Sequence, residues 1–276
     1  DKLEALFNRP EDKALSLQSA RESIVLLKND GTLPLKKTIK KIAVIGPHAD
    51  HANKFFGGYT LLCMAESTLA VANSIAGVSG TVSASPDTIR TVSGTKVQSD
   101  EGPEFNEILL RQKPDCVSLL TELRSRLSES EIVYACSYPV AGEDESGFEE
   151  ALKIVQDADV VILTLGGKHG TCSMATMGEG VDAASINLPL CQEHFIREAA
   201  KLGKPMIGVH LDGRPISSEA ADKYLNAILD CWSPAECGAQ AIADVLLGVY
   251  NPGGKLPVTV AYHAGQIPLY YNHPNG

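Results

Sequence analysis

From residue 159 onward, apolar runs and amphipathic stretches alternate. The run Asp159 to Leu165 is followed by a loop and a helical pattern over 190–202. Apolar residues 206–211 precede a helical stretch at 217–224, and residues 226–232 precede another at 235–248. Short continuous apolar runs between amphipathic segments read as strands buried on both faces, joined by covering helices. Upstream, Lys41 to Pro47 and Ile132 to Cys136 read as two further buried strands. A helix is expected over 147–157, and helical pattern also fills 104–127 with a break near Pro114. The spacing of Leu15, Ala20, Ile24 and Leu27 predicts a helix over 12–28, stopped by Asn29-Asp30-Gly31. Residues 57–100, rich in Gly, Ser, Thr and Val from Ser74 on, read as irregular.

The expected fold is therefore a three-layer α/β/α sandwich around a mainly parallel sheet of about six strands. One antiparallel edge strand is expected near Pro257-Val258-Thr259-Val260-Ala261, because Pro257 lacks a ladder donor. Residues 1–40 read as linker and first helix. Residues 41–276 read as the sandwich, with 63–130 as a long insertion serving as a subsite loop or a homo-oligomer contact.

Composition narrows the function. The 276 residues carry a formal net charge of −10, which excludes the concentrated basic surface that nucleic acid requires. No apolar run approaches a membrane span, and no signal-peptide pattern opens the chain. Seven scattered cysteines without CxxC spacing read as free thiols, with Cys136 and Cys231 in buried strands. A reducing, cytoplasmic compartment fits that usage. The chain opens on Asp1 rather than Met, as a processed or excised piece would. The seven histidines form no HExxH or HxH pattern, so no metal is expected. No P-loop and no GxGxxG opening a helix is present, so no nucleotide cofactor is expected. The absence of G-x-S-x-G argues against a serine nucleophile.

The chemistry concentrates where strands end. Gly178-Glu179-Gly180-Val181-Asp182 leaves the carboxyl end of the 159–165 strand, where open α/β sheets bind ligands. Its flanking glycines leave room around a carboxyl group suited to general acid catalysis. Asp182 is a second carboxylate able to raise the affinity of Glu179 for a proton, or a cap for the next segment. Lys168 and His169, at the end of the same strand, are candidate contacts for a hydroxyl-rich or anionic ligand. Arg214, in Asp212-Gly213-Arg214-Pro215, is a candidate to clamp a carboxylate or orient Glu179. Tyr59, after Gly57-Gly58, is suited to stacking on a sugar face, and His48 and Asp50 follow the first strand. Glu143-Asp144-Glu145 reads as a solvated charge run at a helix start. Glycoside hydrolysis needs two carboxylates, and a second one at suitable distance is not evident.

Five ordered motifs carry a resemblance. Ala20 to Leu35, Ile42 to Asp50, Gly178 to Asp182 with Leu188-Pro189, Asn251 to Thr259 and Gln266 to Tyr271 resemble the second domain of glycoside hydrolase family 3. The resemblance spans the chain except roughly 63–130. It implies a preceding barrel domain that supplies the Asp nucleophile and most sugar contacts, with Glu179 as acid/base across the domain boundary. The implied reaction is retaining hydrolysis of a terminal β-linked sugar, most often a β-glucoside, in an oligosaccharide or other glycoside. The chain departs from the family pattern at Ala183, where an Arg usually follows the Asp. A non-catalytic sugar-binding or scaffolding module is the alternative reading.

Overall fold

A computed structural model describes residues 9–74, 90–270 and 272. Six strands form one sheet in the order β1-β6-β5-β4-β2-β3. They are β1 (Val25–Asn29), β2 (Lys41–Ile45), β3 (Glu131–Ala135), β4 (Val160–Gly166), β5 (Met206–Leu211) and β6 (Ala227–Asp230). Strands β2 to β6 run parallel, and β1 pairs antiparallel with β6.

Alternation along the strands explains the two helical layers. Ile42 and Val44 of β2, with Ile162 of β4 and Val209 of β5, enter one core. Helices α1 (Pro10–Ser23), α4 (Leu119–Arg126) and α8 (Gly238–Leu246) close that face. Ala43, Ile45, Val161, Leu163 and Leu165 enter the other core, under α5 (Phe148–Asp157), α6 (Leu190–Ala200) and α7 (Glu219–Tyr224). Every residue of β4 is buried, which is why its sequence reads as an unbroken apolar run. Ser118 and Ser218 cap α4 and α7 by accepting from Thr121 N–H and Ala221 N–H. Asp244, buried in α8, receives Arg21 and Arg126 at 2.5 Å each and so ties three helices together.

Three expectations are corrected. The first helix ends at Ser23, and Val25–Asn29 is a strand. The β-branched pair Ile24-Val25 favours extended backbone, and the edge of β6 offers it a ladder. The antiparallel edge strand is consequently β1. Residues 257–261 form no strand, because β1 already occupies that edge of β6. Gly254 N–H instead donates to Ile24 O at 3.1 Å. Finally, the stretch read as irregular contains a helix, α2 (Leu61–Ser74). The remainder of that stretch from 75 to 89 lies outside the described residues. Helix α3 (Pro103–Gln112) and α4 match the helical pattern broken near Pro114.

Candidate active site

The chain passes from β2 outward to β3, then returns to β4 on the other side of β2. The carboxyl ends of β2 and β4 therefore flank the point where strand order reverses, the usual ligand crevice of such sheets. In this protein a buried histidine bridges the two strand ends. His48, fully buried, bonds Gly167 O through Nε2 at 2.7 Å. Burial pushes its imidazole down to about 3, so it is neutral and Nε2–H is the donor.

The loop after β4 curls round so that its two limbs run side by side, His169 pairing in parallel with Met177. Thr176 N–H donates to Lys168 O at 3.0 Å, and Gly170 N–H to Met177 O at 3.0 Å. At its end Val181 N–H donates to Gly178 O at 3.2 Å, closing a four-residue turn with Glu179 and Gly180 at its centre. Gly180 has φ +72°, the left-handed third position that defines a type II turn. Gly178 has φ +130° and sits against the Gly170 carbonyl, where a side chain has no room. The glycines thus do more than clear space: they force the turn that lifts the Glu179 carboxyl off the sheet edge. Glu179 and Asp182 are both exposed.

The structure brings Tyr59 to Glu179 across 120 residues, with the phenol hydroxyl donating to Oε2. His169, half-buried, bonds Ser233 Oγ through Nδ1 at 3.1 Å and lies beside Gly57. Burial lowers its proton affinity. Arg214 lines a cavity of about 750 Å³ that Ala183, Ala184 and Ser185, on the outgoing limb of the Glu179 loop, also line.

Lys168 is placed differently from expectation. Its ammonium is buried and ion-paired to Glu66 at 2.7 Å and Asp100 at 2.8 Å. Asp100 also holds buried Lys54 at 2.7 Å, and Asn53 Nδ2 donates to both carboxylates. Burial opposes the charge on Lys168, but Asp100 and Glu66 outweigh it and hold the ammonium above the usual lysine range. Lys168 is thus committed to an internal cluster of two cations and two anions, not open to ligand. Glu66, Asp100 and Lys54 carry no local motif, and sequence reading missed them.

One smaller expectation also changes. Cys136 is exposed at the end of β3, whereas Cys231 is buried as expected. Asp50 is exposed and accepts from Ser118 Oγ at 3.3 Å. In the acidic run, Glu145 meets His194 Nδ1 at 2.6 Å, and Asp144 accepts from Ser146 N–H. No described helix is long and apolar enough to cross a membrane. Among the described residues no group of three or more His, Cys, Asp or Glu is arranged to hold a metal.

A further acidic pair ends the neighbouring strands. Asp212 follows β5 and Asp230 closes β6, and they are only 2% and 5% exposed. Burial first, and then the charge of Asp230, push Asp212 well up, against the influence of Arg214. Burial pushes Asp230 up to about 6, against the Trp232 N–H that donates to it at 3.3 Å. An unfolded Asp titrates at about 3.9, so the fold binds these protons more tightly than the unfolded chain does. The resulting stability is fully present below about pH 4 and is lost as pH rises through about 6. Asp230→Asn keeps the acceptor for Trp232 and removes the charge. Its melting temperature is expected to exceed the parent's at about pH 7.5, with the gap narrowing toward about pH 4. A variant no more stable at the higher pH would contradict this.

The fold is thus a three-layer sandwich that carries an exposed carboxyl, Glu179, on a glycine-flanked turn. The sequence matches the glycosyl hydrolase family 3 C-terminal domain over residues 24–276. The chain belongs to this family. It is 34% identical over 93% of its length to a "Periplasmic beta-glucosidase" of Salmonella typhimurium, covering 29% of that protein. It is 31% identical over 95% of its length to a "Beta-xylosidase" of Formosa agariphila, covering 30% of it. Among solved structures, a β-glucosidase involved in saponin metabolism from intestinal bacteria superposes with a TM-score of 0.72 at 26% identity. That match spans 99% of this chain and 36% of the other. A β-glucosidase from Listeria innocua gives 0.66 at 26% identity, over 97% of this chain and 29% of the other. The chain therefore spans about a third or less of the length of these relatives.

Proposed function

We propose that this chain is the second domain of a retaining β-glycosidase and that Glu179 is the general acid/base. The observation that carries this reading is the Glu179 turn: a carboxyl held by obligatory glycine geometry, exposed at the sheet's carboxyl edge. A carboxyl keeps a proton near neutral pH only when burial or a second carboxylate disfavours its charge. A barrel domain closing over the turn, and bringing an Asp nucleophile, would supply both. Glu179 would protonate the departing oxygen, then take a proton from the attacking water. The substrate is a terminal β-D-glucosyl residue. Xylosidase names among the relatives make a β-xyloside the competing substrate. His169, Arg214 and Asp182 would border the site, with Lys168 beneath it as a structural support.

The isolated domain is expected to turn over neither aryl β-glucosides nor aryl β-xylosides. The full-length protein should hydrolyse one of them, the β-anomer appearing first by proton NMR. The α-anomer first, or turnover by the domain alone, would overturn the reading. Tight binding of glucose or cellobiose by the domain alone would favour a sugar-binding module instead.

A further inference from the structure

Tyr59 and Glu179 are both exposed, and exposed polar pairs on mobile segments contribute little. These two stand on segments that buried contacts fix to one another. Tyr59 sits in a short arm between β2 and α2. Thr60 Oγ1 and N–H both bond Gly57 O, at 2.8 and 3.1 Å, which sets the arm's turn. Gly58 packs against the Gly170 backbone. Helix α2 follows at once and is fastened to the loop that carries Glu179. Glu66 of α2 meets Lys168 at 2.7 Å, and Ser67 Oγ lies 3.1 Å from Thr171 Oγ1. Further along the chain, Gln98 N–H and Nε2 donate to Ser173 O and Oγ at 2.8 and 2.9 Å, and Asp100 meets Lys168 at 2.8 Å. The Lys54–Asp100–Lys168–Glu66 cluster is the buried centre of this attachment.

We propose that Tyr59 is a positioning residue for Glu179, and that the 57–60 arm, α2 and residues 98–100 form a clamp whose work is to hold that phenol on that carboxyl. The proposal rests on the acid/base reading of Glu179. A hydroxyl donating to a carboxylate fixes its rotation and favours its ionised form. Tyr59 would thereby govern both where the carboxyl points and the pH at which it surrenders its proton. The phenol suits this work because its bond to Glu179 raises its own proton affinity. Other titratable groups on the packed elements are otherwise engaged or set apart. Lys168 belongs to the cluster, His169 bonds Ser233, Cys63 of α2 lies 4.0 Å from His169 O, and Arg214 lines the cavity that Ala183 to Ser185 also line.

The test is Tyr59→Phe in the full-length protein, which removes one oxygen and keeps the ring. The pH profile of kcat/KM is measured with an activated aryl glycoside and with a poor-leaving-group substrate. With the donor lost, the proton-carrying form is favoured. The basic limb is expected to move up by roughly one to two pH units, the equivalent of one hydrogen bond to a charged group. The poor-leaving-group substrate should also lose rate several-fold more than the activated one. An unmoved or downward limb overturns the proposal. So does an equal loss on both substrates, the mark of a hydroxyl that only contacts sugar. Should the variant be too slow to assay, the ¹³C titration of the Glu179 carboxyl, identified by its absence in Glu179→Gln, must shift upward. Failure of the acid/base reading is separable, because Glu179→Ala would then lose rate without regard to leaving group.

Discussion

Glu179→Ala in the full-length protein is expected to lose rate in proportion to how much its leaving group needs a proton. Removal of a positioned general acid costs about 10²- to 10⁴-fold. That loss should appear on cellobiose or an alkyl glycoside. A dinitrophenyl glycoside departs without protonation, so its first step should survive and a covalent intermediate should accumulate. The second step then lacks its base. Azide, which attacks without giving up a proton, should restore turnover and yield a glycosyl azide of retained β configuration. The basic limb of the pH profile should vanish with the carboxyl. The structure makes this variant a clean test. Glu179 is exposed at the centre of a turn whose geometry belongs to Gly178 and Gly180, so truncating its side chain opens no cavity and leaves the backbone unstrained. A uniform loss over all leaving groups, with no azide rescue, would remove Glu179 from the acid/base role.

The legible parts of this fold are those where one segment contains its own reason. Strand β4 is buried on both faces, so its apolar run needs no partner to be read. The Glu179 turn is equally local, since glycines on either side of an acid announce a strained turn. What the sequence conceals is whatever depends on a distant partner. Ile24 to Leu27 continues the apolar spacing of α1, and only the free edge of β6 converts it to a strand. Val258 and Val260 alternate like a strand, yet that edge is already taken. Helix α2 hides between Gly57-Gly58 and a Gly/Ser/Thr-rich tract. Lys168 is the most instructive error. A lysine after a strand at the ligand edge reads as a ligand contact. Its partners lie 102 and 68 residues away in sequence, and nothing local records that they fold over it.

That burial predicts the second large effect. Lys168→Met is expected to destabilise the domain by about 3–5 kcal/mol, the usual result of removing one partner from a buried ion pair. The cluster as it stands balances Lys54 and Lys168 against Glu66 and Asp100. Methionine fits the length of the lysine stem but leaves one buried carboxylate without a counter-charge. For a domain of this size the melting temperature should fall by on the order of 10 °C. Neutralising the partner as well, in Lys168→Met/Glu66→Gln, restores the balance of charge and keeps a group for Asn53 to bond. The double variant should therefore recover a substantial part of the loss, and the coupling measured by the cycle should exceed about 1 kcal/mol. The damage should also be uneven. The two cores on either side of the sheet do not include the cluster, so β4 and β5 amides should remain the best protected from exchange. Protection should fall first in α2 and around Gln98, the segments that clamp the Glu179 loop. In the full-length protein the same variant should lose rate on poor leaving groups even at temperatures where it is folded, because the arm that carries Tyr59 is no longer held. Stability within about 1 kcal/mol of the parent would mean that the four charges are not balanced against one another as their geometry indicates.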